Sequence, residues 1–183
     1  MDIGAQSPEI ISALLTKRQI LLQSEIDSSV QVQICRFIIY LNSVDQTPIT
    51  LFIDSNGGDT ELSLFICDVI QHSQAEVHGI VIADANSAAF RILQACHKRL
   101  AYPHASMLFH ATTIAGRRVD ADDLEEYLKK LKGCHEEQVR VFAERSKQSI
   151  KQIREWSKKE KRFTAQEAKA AGFLDEVIEP PGK

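Results

Sequence analysis

Several features that mark whole classes of protein are missing from this chain. Its 183 residues hold only 8 glycines and 5 prolines, which excludes collagen-like and low-complexity chains. No apolar run approaches the about 20 residues that a membrane-spanning helix needs. A net charge of −3 leaves no excess of basic residues for nucleic acid or an anionic membrane. The first residues lack the basic and apolar segments of an export signal, so we expect a cytoplasmic protein with neither partner.

Cysteine is scarce and widely spaced. The four cysteines are Cys35, Cys67, Cys96 and Cys134, and each lies in a stretch that predicts a helix. Gaps of about thirty residues or more match neither a metal-ligand pattern nor a disulfide framework. None of the four lies at a predicted strand-to-helix turn, which disfavours a cysteine nucleophile. We therefore predict buried reduced thiols and no metal site.

What remains is the composition of a soluble globular domain. Hydrophobic residues make up 44% and charged residues 26%, and this length favours one domain over residues 1–183. Apolar runs alternate with amphipathic stretches, which predicts an α/β fold with a largely parallel sheet. We predict strands at 20–22, 49–53, 77–82, 99–102 and 106–109, and helices that start at Ser7-Pro8, run to Leu41 from a cap at Ser28 or Ser29, and cover 60–71 and 88–96.

A long helix is predicted from about Asp120 to Ser146. Acidic residues fill its first turn, where the helix dipole favours them, and Gly133 is its weak point. Its first half carries one apolar stripe, formed by Leu124, Tyr127, Leu128 and Leu131. The stripe fits either packing against the same domain or contact with another subunit.

A serine between a strand and a helix is the most informative single residue. Ser87 follows the predicted strand at 77–82 and precedes the helix at 88–96, a geometry that exposes a hydroxyl beside backbone N–H dipoles. His110 ends another apolar strand and can take the serine proton, while Gly57-Gly58 can offer bare backbone N–H groups to an oxyanion. Together these residues predict acyl transfer. Ser87 could instead be a simple helix cap, and His110 a hydrogen-bonded strand end.

Four blocks in order resemble the family of the proteolytic subunit of Clp protease (ClpP) and its phage-type relatives. The resemblance runs from about Leu14 to Ile178. Its blocks are DSNGG at 54–58, ANSAAF at 85–90, KRLAYPHASMLFH at 98–110, and FTAQEA with AGFLD within 163–175. The second block is one residue shorter than the family pattern.

This resemblance implies a fold, an activity and an assembly. It implies a ClpP/crotonase-like fold of repeated ββα units, with the helix at about 120–146 as a protruding handle. It also implies a serine endopeptidase without a cofactor, in which Ser87 is the nucleophile, His110 the base, and Gly58 and Ala88 supply the oxyanion N–H groups. The expected partners are peptide or unfolded protein substrates, an ATP-driven ring unfoldase, and further copies of the chain in two stacked heptameric rings.

The third member of the triad is where the sequence departs from the family. The family usually has an aspartate two residues before the phenylalanine of the last block, and here that position is Lys161. Lysine cannot accept the imidazole N–H. Glu160 is the tentative substitute, Asp175 matches a different family position, and His104 is expected to be a surface turn residue.

Two other functions stay open. Lys161 favours a catalytically impaired structural subunit of a mixed ring, whereas Ser87 and His110 oppose it. An acyl-CoA enzyme of the crotonase type would share the fold, but the sequence shows no carboxylate in place of Ser87. We expect a weakly active or dormant peptidase.

Overall fold

One seven-stranded sheet organises residues 7–111 and 120–180, which the computed structural model describes. The strands are β1 (Gln19–Leu22), β2 (Ile49–Ser55), β3 (Val77–Asn86), β4 (Lys98–Ala101), β5 (Ser106–Phe109), β6 (Lys161–Thr164) and β7 (Glu176–Val177). The helices are α1 (Pro8–Thr16), α2 (Ser28–Val44), α3 (Thr60–Gln71), α4 (Ala88–Ala95), α5 (Leu124–Ser146), α6 (Ile150–Lys158) and α7 (Ala165–Ala170). The ends of the predicted 1–183 domain lie outside the described residues.

The sheet is largely parallel, as predicted. Strands β1, β2, β3, β4 and β7 are neighbours in that order, and every pair among them is parallel. Strand β5 also pairs in parallel with β3, and only β6 runs antiparallel, against β5. Because the first half of β3 pairs with β4 and its end pairs with β5, the carboxyl ends of β3 and β5 meet at one edge.

Strand β3 is longer than the sequence predicts. Apolar alternation ends at Ile82, but the strand continues to Asn86. Residues Ala83 to Asn86 have little intrinsic preference for a strand. Pairing of Asp84, Ala85 and Asn86 with β5 holds them extended, so tertiary contact overrides local propensity.

The start of α2 corrects one predicted cap. Neither Ser28 nor Ser29 caps the helix; Asp27 does, since its Oδ1 accepts the Val30 N–H at 2.9 Å and the Ser29 hydroxyl at 2.8 Å. A carboxylate at this position also interacts favourably with the helix dipole. Helix α1 starts at Ser7-Pro8 as predicted, with Ser7 as its cap and the Ser7 Oγ 3.4 Å from the Ile10 nitrogen.

Helix α5 packs on its own domain along its second half. A 3-10 helix (Ala121–Asp123) leads into it, and it continues without a break through Gly133. Its second half is buried in its own domain through Val139 and Phe142. Its first half leaves Leu124 44% and Leu128 38% exposed.

A cluster of aromatic rings joins the elements that meet at the edge of β3 and β5. Phe90 of α4 lies with its ring centroid 4.9 Å from that of Phe142 of α5, and Phe142 stacks on Phe109 of β5 at 4.5 Å. Phe163 of β6 and Phe173 complete the cluster, with 5.3 Å between their centroids. All five rings are buried, so one core holds the segments that carry Ser87, His110 and Lys161.

The cysteines follow the prediction for three of four. Cys35, Cys67 and Cys96 are buried free thiols, and Cys134 is half-buried. Burial raises the pKa of the Cys67 thiol to about 12, so it is protonated and unreactive at neutral pH. Along the described chain we find no helix long and apolar enough to cross a membrane.

Candidate active site

Ser87 lies at the junction of β3 and α4 with a strained backbone. Its φ of 55° and ψ of −118° fall in a region that residues with a side chain rarely adopt. It occupies the N-cap position of α4, but its side chain makes no capping hydrogen bond. The simple capping role therefore does not account for this serine, and strain of this kind occurs at functional sites.

Strand pairing brings His110 to Ser87. Asn86 and Leu108 are partners in the ladder between β3 and β5, and the Ser87 N–H donates to the Leu108 carbonyl at 2.9 Å. His110 is the first residue after β5 and is half-buried. Ser87 and His110 line the same cavity, which has a volume of about 530 Å³.

The glycine pair passes close to the serine. A Cβ on Gly57 would lie 2.6 Å from the Asn86 carbonyl oxygen and 2.9 Å from the Ser87 Cβ, and the φ of Gly57 is +94°. Only glycine combines this backbone conformation with this close approach. The chain after β2 therefore lies directly against the turn that carries Ser87.

Gly58 is oriented by a bridge on its other side. The Ile26 N–H donates to the Gly57 carbonyl, and the Asp59 N–H donates to the Ile26 carbonyl, both at 2.8 Å. The Gly58 N–H shares its peptide group with the Gly57 carbonyl, and because C=O and N–H point in opposite directions in a trans peptide, this N–H points away from Ile26. Gly58 and Ala88 both line the cavity, and Ala88 is the first residue of α4, where N–H groups have no intrahelical partner.

Two residues lie near the expected place of the third triad member, and neither of them is hydrogen-bonded to His110. In the antiparallel ladder Phe109 pairs with Lys161, so Glu160 is the next residue opposite His110. Glu160, however, precedes β6 with a φ of 49° and is exposed. Lys161 Nζ bonds to Glu167 Oε1 at 3.2 Å and lies 5.2 Å from the centroid of the Phe163 ring. Among the described residues no carboxylate is hydrogen-bonded to the His110 ring.

A polar network fixes the backbone before Ser87. Arg162 Nη1 donates to Ser106 Oγ at 2.7 Å and to the side-chain oxygens of Asn86 and Asp84, both at 3.3 Å. Asn86 Nδ2 in turn donates to Asn56 Oδ1 at 3.0 Å. The network links β6, β5, β3 and the segment after β2, and so holds the end of β3 that leads into Ser87.

Acidic residues around the cavity were missed by the sequence analysis. Asp27 and Asp59 both line it, and each caps a helix that starts after a parallel strand. Hydrogen bonds from the Val30 N–H and then from the Ser29 hydroxyl lower the pKa of Asp27. Glu61 also lines the cavity, and it pairs with Lys130 of α5 at 2.9 Å. Carboxyl ends of parallel strands share one edge, so the two capping signals were sufficient to place these residues here.

Arg91 of α4 is a second missed residue. It lines the cavity although the residue is only 4% exposed and the other residues of its helix, apart from Gln94, are apolar. The one signal in the sequence was a charged residue within the apolar run at 88–96.

Two residues that the sequence set aside stay outside the site. His104 is exposed in a turn, and Asp175 is paired with Arg99.

Comparison with known families agrees with the fold. A family model described as Clp protease matches residues 3–181 of the 183-residue chain. The match includes every element of the described sheet and each residue that lines the cavity. The chain therefore belongs to the Clp protease family.

Proposed function

We propose that this chain is a Clp-type serine endopeptidase subunit with Ser87 as nucleophile and His110 as base. The observation that carries the proposal is Ser87 itself: it has a strained backbone and an uncapped side chain, and it shares one cavity with His110 and Gly58. A peptide bond is the substrate that the family favours. No metal or organic cofactor is required by this chemistry.

The chemistry follows from the arrangement. His110 takes the proton from Ser87 Oγ as the oxygen attacks the peptide carbonyl. Negative charge then develops on the carbonyl oxygen, and the N–H groups of Gly58 and Ala88 stabilise it. His110 next donates its proton to the leaving amine, and the acyl group stays on Ser87. Water, activated by His110, releases the acid and restores the serine.

We extend the proposal to the assembly that the family suggests. The single domain packs into two stacked heptameric rings that enclose the active sites, and an ATP-driven unfoldase supplies unfolded protein in the cytoplasm. Support comes from apolar side chains that a monomer leaves in water, namely Ile39, Tyr40 and Val44 on α2 and Leu124 and Leu128 on α5. Light scattering tests it, since a stable particle of about the 20.5 kDa chain mass contradicts the ring.

One observation favours a second function, that of a catalytically impaired structural subunit. Lys161 stands where the family usually has an acid, and it is bonded to Glu167. The fold and the ring would then be retained, and the peptidase chemistry would be lost.

Labelling with a fluorophosphonate decides between the two functions. We expect the wild type to be labelled at Ser87 and Ser87→Ala to be unlabelled. In an active preparation Ser87→Ala lowers the rate of peptide hydrolysis by about 10⁶. Ser43→Ala, at an exposed serine on α2, is the control and keeps the label. Labelling of Ser87→Ala at the wild-type rate contradicts the nucleophile, and an unlabelled wild type supports the structural subunit.

A further inference from the structure

Arg91 is a buried cation that faces the candidate active site. Its Nη1 donates to the carbonyl of Thr60 at 3.3 Å, but its buried Nε has no hydrogen-bond partner among the residues that the structure describes. Only 4% of the residue is exposed, and burial lowers the pKa of its guanidinium. Buried polar groups are satisfied in the great majority of cases, so an unsatisfied donor of this kind calls for a partner.

Four carboxylates, those of Glu25, Asp27, Asp59 and Glu61, line the cavity and do not supply that partner. Asp27 accepts hydrogen bonds at the start of α2, and Asp59 accepts those of the Glu61 and Leu62 N–H groups at 2.8 Å and 3.0 Å. Glu61 pairs with Lys130. Within the described parts of the chain, no carboxylate forms an ion pair with Arg91. Among the described residues that line the cavity it is also the only lysine or arginine.

The side chain lies one helical turn from the candidate nucleophile. The Arg91 N–H donates to the Ser87 carbonyl at 3.2 Å, so α4 carries both side chains on consecutive turns, which are about 5.4 Å apart along the axis. Ser87, His110 and Arg91 line the same cavity. A side chain that enters this cavity from a peptide attacked by Ser87 can therefore extend toward Arg91.

We propose that Arg91 selects substrates with aspartate or glutamate at the residue whose carbonyl Ser87 attacks. This inference rests on the proposed function and names its substrate class. A substrate carboxylate that reaches the guanidinium from the cavity would offset its buried charge. Hydrogen bonds with an ionised partner are stronger than neutral ones, so we expect a preference of about ten- to one hundred-fold for glutamate over glutamine.

Binding to Ser87→Ala tests the preference without any need for turnover. The probes are fluorescein-labelled peptides that are identical except for a C-terminal Glu, Gln, Leu or Lys, and that thus resemble the acid product. Fluorescence anisotropy should show the tightest binding for Glu, with Gln about ten- to one hundred-fold weaker. Adding Arg91→Met to Ser87→Ala should abolish this difference. Arg36→Met, at an exposed arginine of α2, is the matched control and keeps it.

The possible outcomes separate the two proposals. A preference for Glu that Arg91→Met removes supports the inference where Ser87 is labelled in the wild type, and without that label it shows only that Arg91 binds a carboxylate. Equal binding of Glu and Gln, or tighter binding of Leu, overturns the inference while a labelled Ser87 still supports the peptidase. Because methionine can replace a buried cation without loss of stability, a thermal melt of Arg91→Met near that of the parent excludes misfolding as the cause.

Discussion

Exchanging Lys161 for aspartate should raise peptidase activity, and this change tests why the site would be dormant. In a serine triad the acid holds the imidazole in its working tautomer, and its loss alone can cost about 10⁴ in kcat. Lys161 stands at the position of that acid and cannot take its role, since ammonium only donates hydrogen bonds. We expect Lys161→Asp to increase kcat/KM at least about tenfold, with about 10⁴ as the upper bound.

The structure indicates that this exchange leaves the fold intact. Lys161 pairs with Glu167 at 3.2 Å, but the two side chains are 37% and 50% exposed, so the pair contributes little to stability. The contact of the Lys161 ammonium with the Phe163 ring, at 5.2 Å from the centroid, contributes about 0.5–1 kcal/mol. The expected loss in the free energy of unfolding is thus about 1 kcal/mol.

The assay compares four proteins with one fluorogenic peptide. Wild type, Lys161→Asp, Lys161→Asn and Glu160→Gln are measured at equal concentrations of folded protein. Lys161→Asn removes the ammonium without adding a carboxylate, so it separates the supply of an acid from the removal of a cation. Glu160→Gln should change kcat/KM little, because Glu160 is exposed and not bonded to His110.

One pattern of results refutes this reasoning. A large loss of activity in Glu160→Gln, with no gain in Lys161→Asp, identifies Glu160 as the third member of the triad. Glu160 is the residue next in register opposite His110, so a modest change in its left-handed backbone would then complete the site.

Two further predictions concern stability. Gly57→Ala places a Cβ 2.6 Å from the Asn86 carbonyl oxygen at a φ of +94°, so we expect urea denaturation to show that the free energy of unfolding falls by about 3 kcal/mol or more. Gly133→Ala is the control, because a Cβ there meets no atom within 4 Å, and it should raise the free energy of unfolding by up to about 1 kcal/mol. An unchanged midpoint for Gly57→Ala contradicts the packing described here. Burial raises the pKa of Asp175, but hydrogen bonds from Arg99 outweigh this effect, and the net pKa is lowered. The pair of Asp175 and Arg99 therefore stabilises the fold fully above the usual aspartate pKa of about 4. This stabilisation is lost as the pH falls through the lowered pKa. Asp175→Asn should therefore lower the free energy of unfolding by about 2 kcal/mol at pH 7 and by less in acid. Glu176→Gln is the control and should lower it by about 0.5 kcal/mol. A loss for Asp175→Asn that does not vary with pH contradicts the argument.

The sequence was sufficient for the order of the elements around the site. Periodic apolar residues predicted α3 and β5 with the bounds that the structure has, because these segments are buried on one face or one side. The same signal failed at the end of β3, where pairing with β5 and not side-chain pattern decides the conformation. It also gave no prediction of α6, in which Ile153 is the only fully buried apolar residue.

For the candidate site, motifs placed the residues and the fold supplied their relations. Ser87, His110 and Gly58 could be named from the chain, since each stands at the end of an apolar strand. The presence of Arg91 in the site could not be predicted from the chain, because burial of a charged side chain depends on which face of α4 turns toward the cavity. The bonding of Lys161 to Glu167 was equally hidden, because it depends on the turn from β6 into α7.

The aromatic cluster gives the protein a built-in optical reporter. Trp156 is the single tryptophan of the chain, and its ring packs edge-on against Phe163 and Phe173 with centroids 5.2 Å and 5.8 Å away. Phe163 lies two residues after Lys161, and through Phe90 and Phe109 the same rings contact the segments that carry Ser87 and His110. The emission wavelength of Trp156 and its quenching by acrylamide therefore report directly on the packing of these rings beneath the site. A displacement of the aromatic cluster can thus be recorded in unlabelled protein, in real time, as ligands are added.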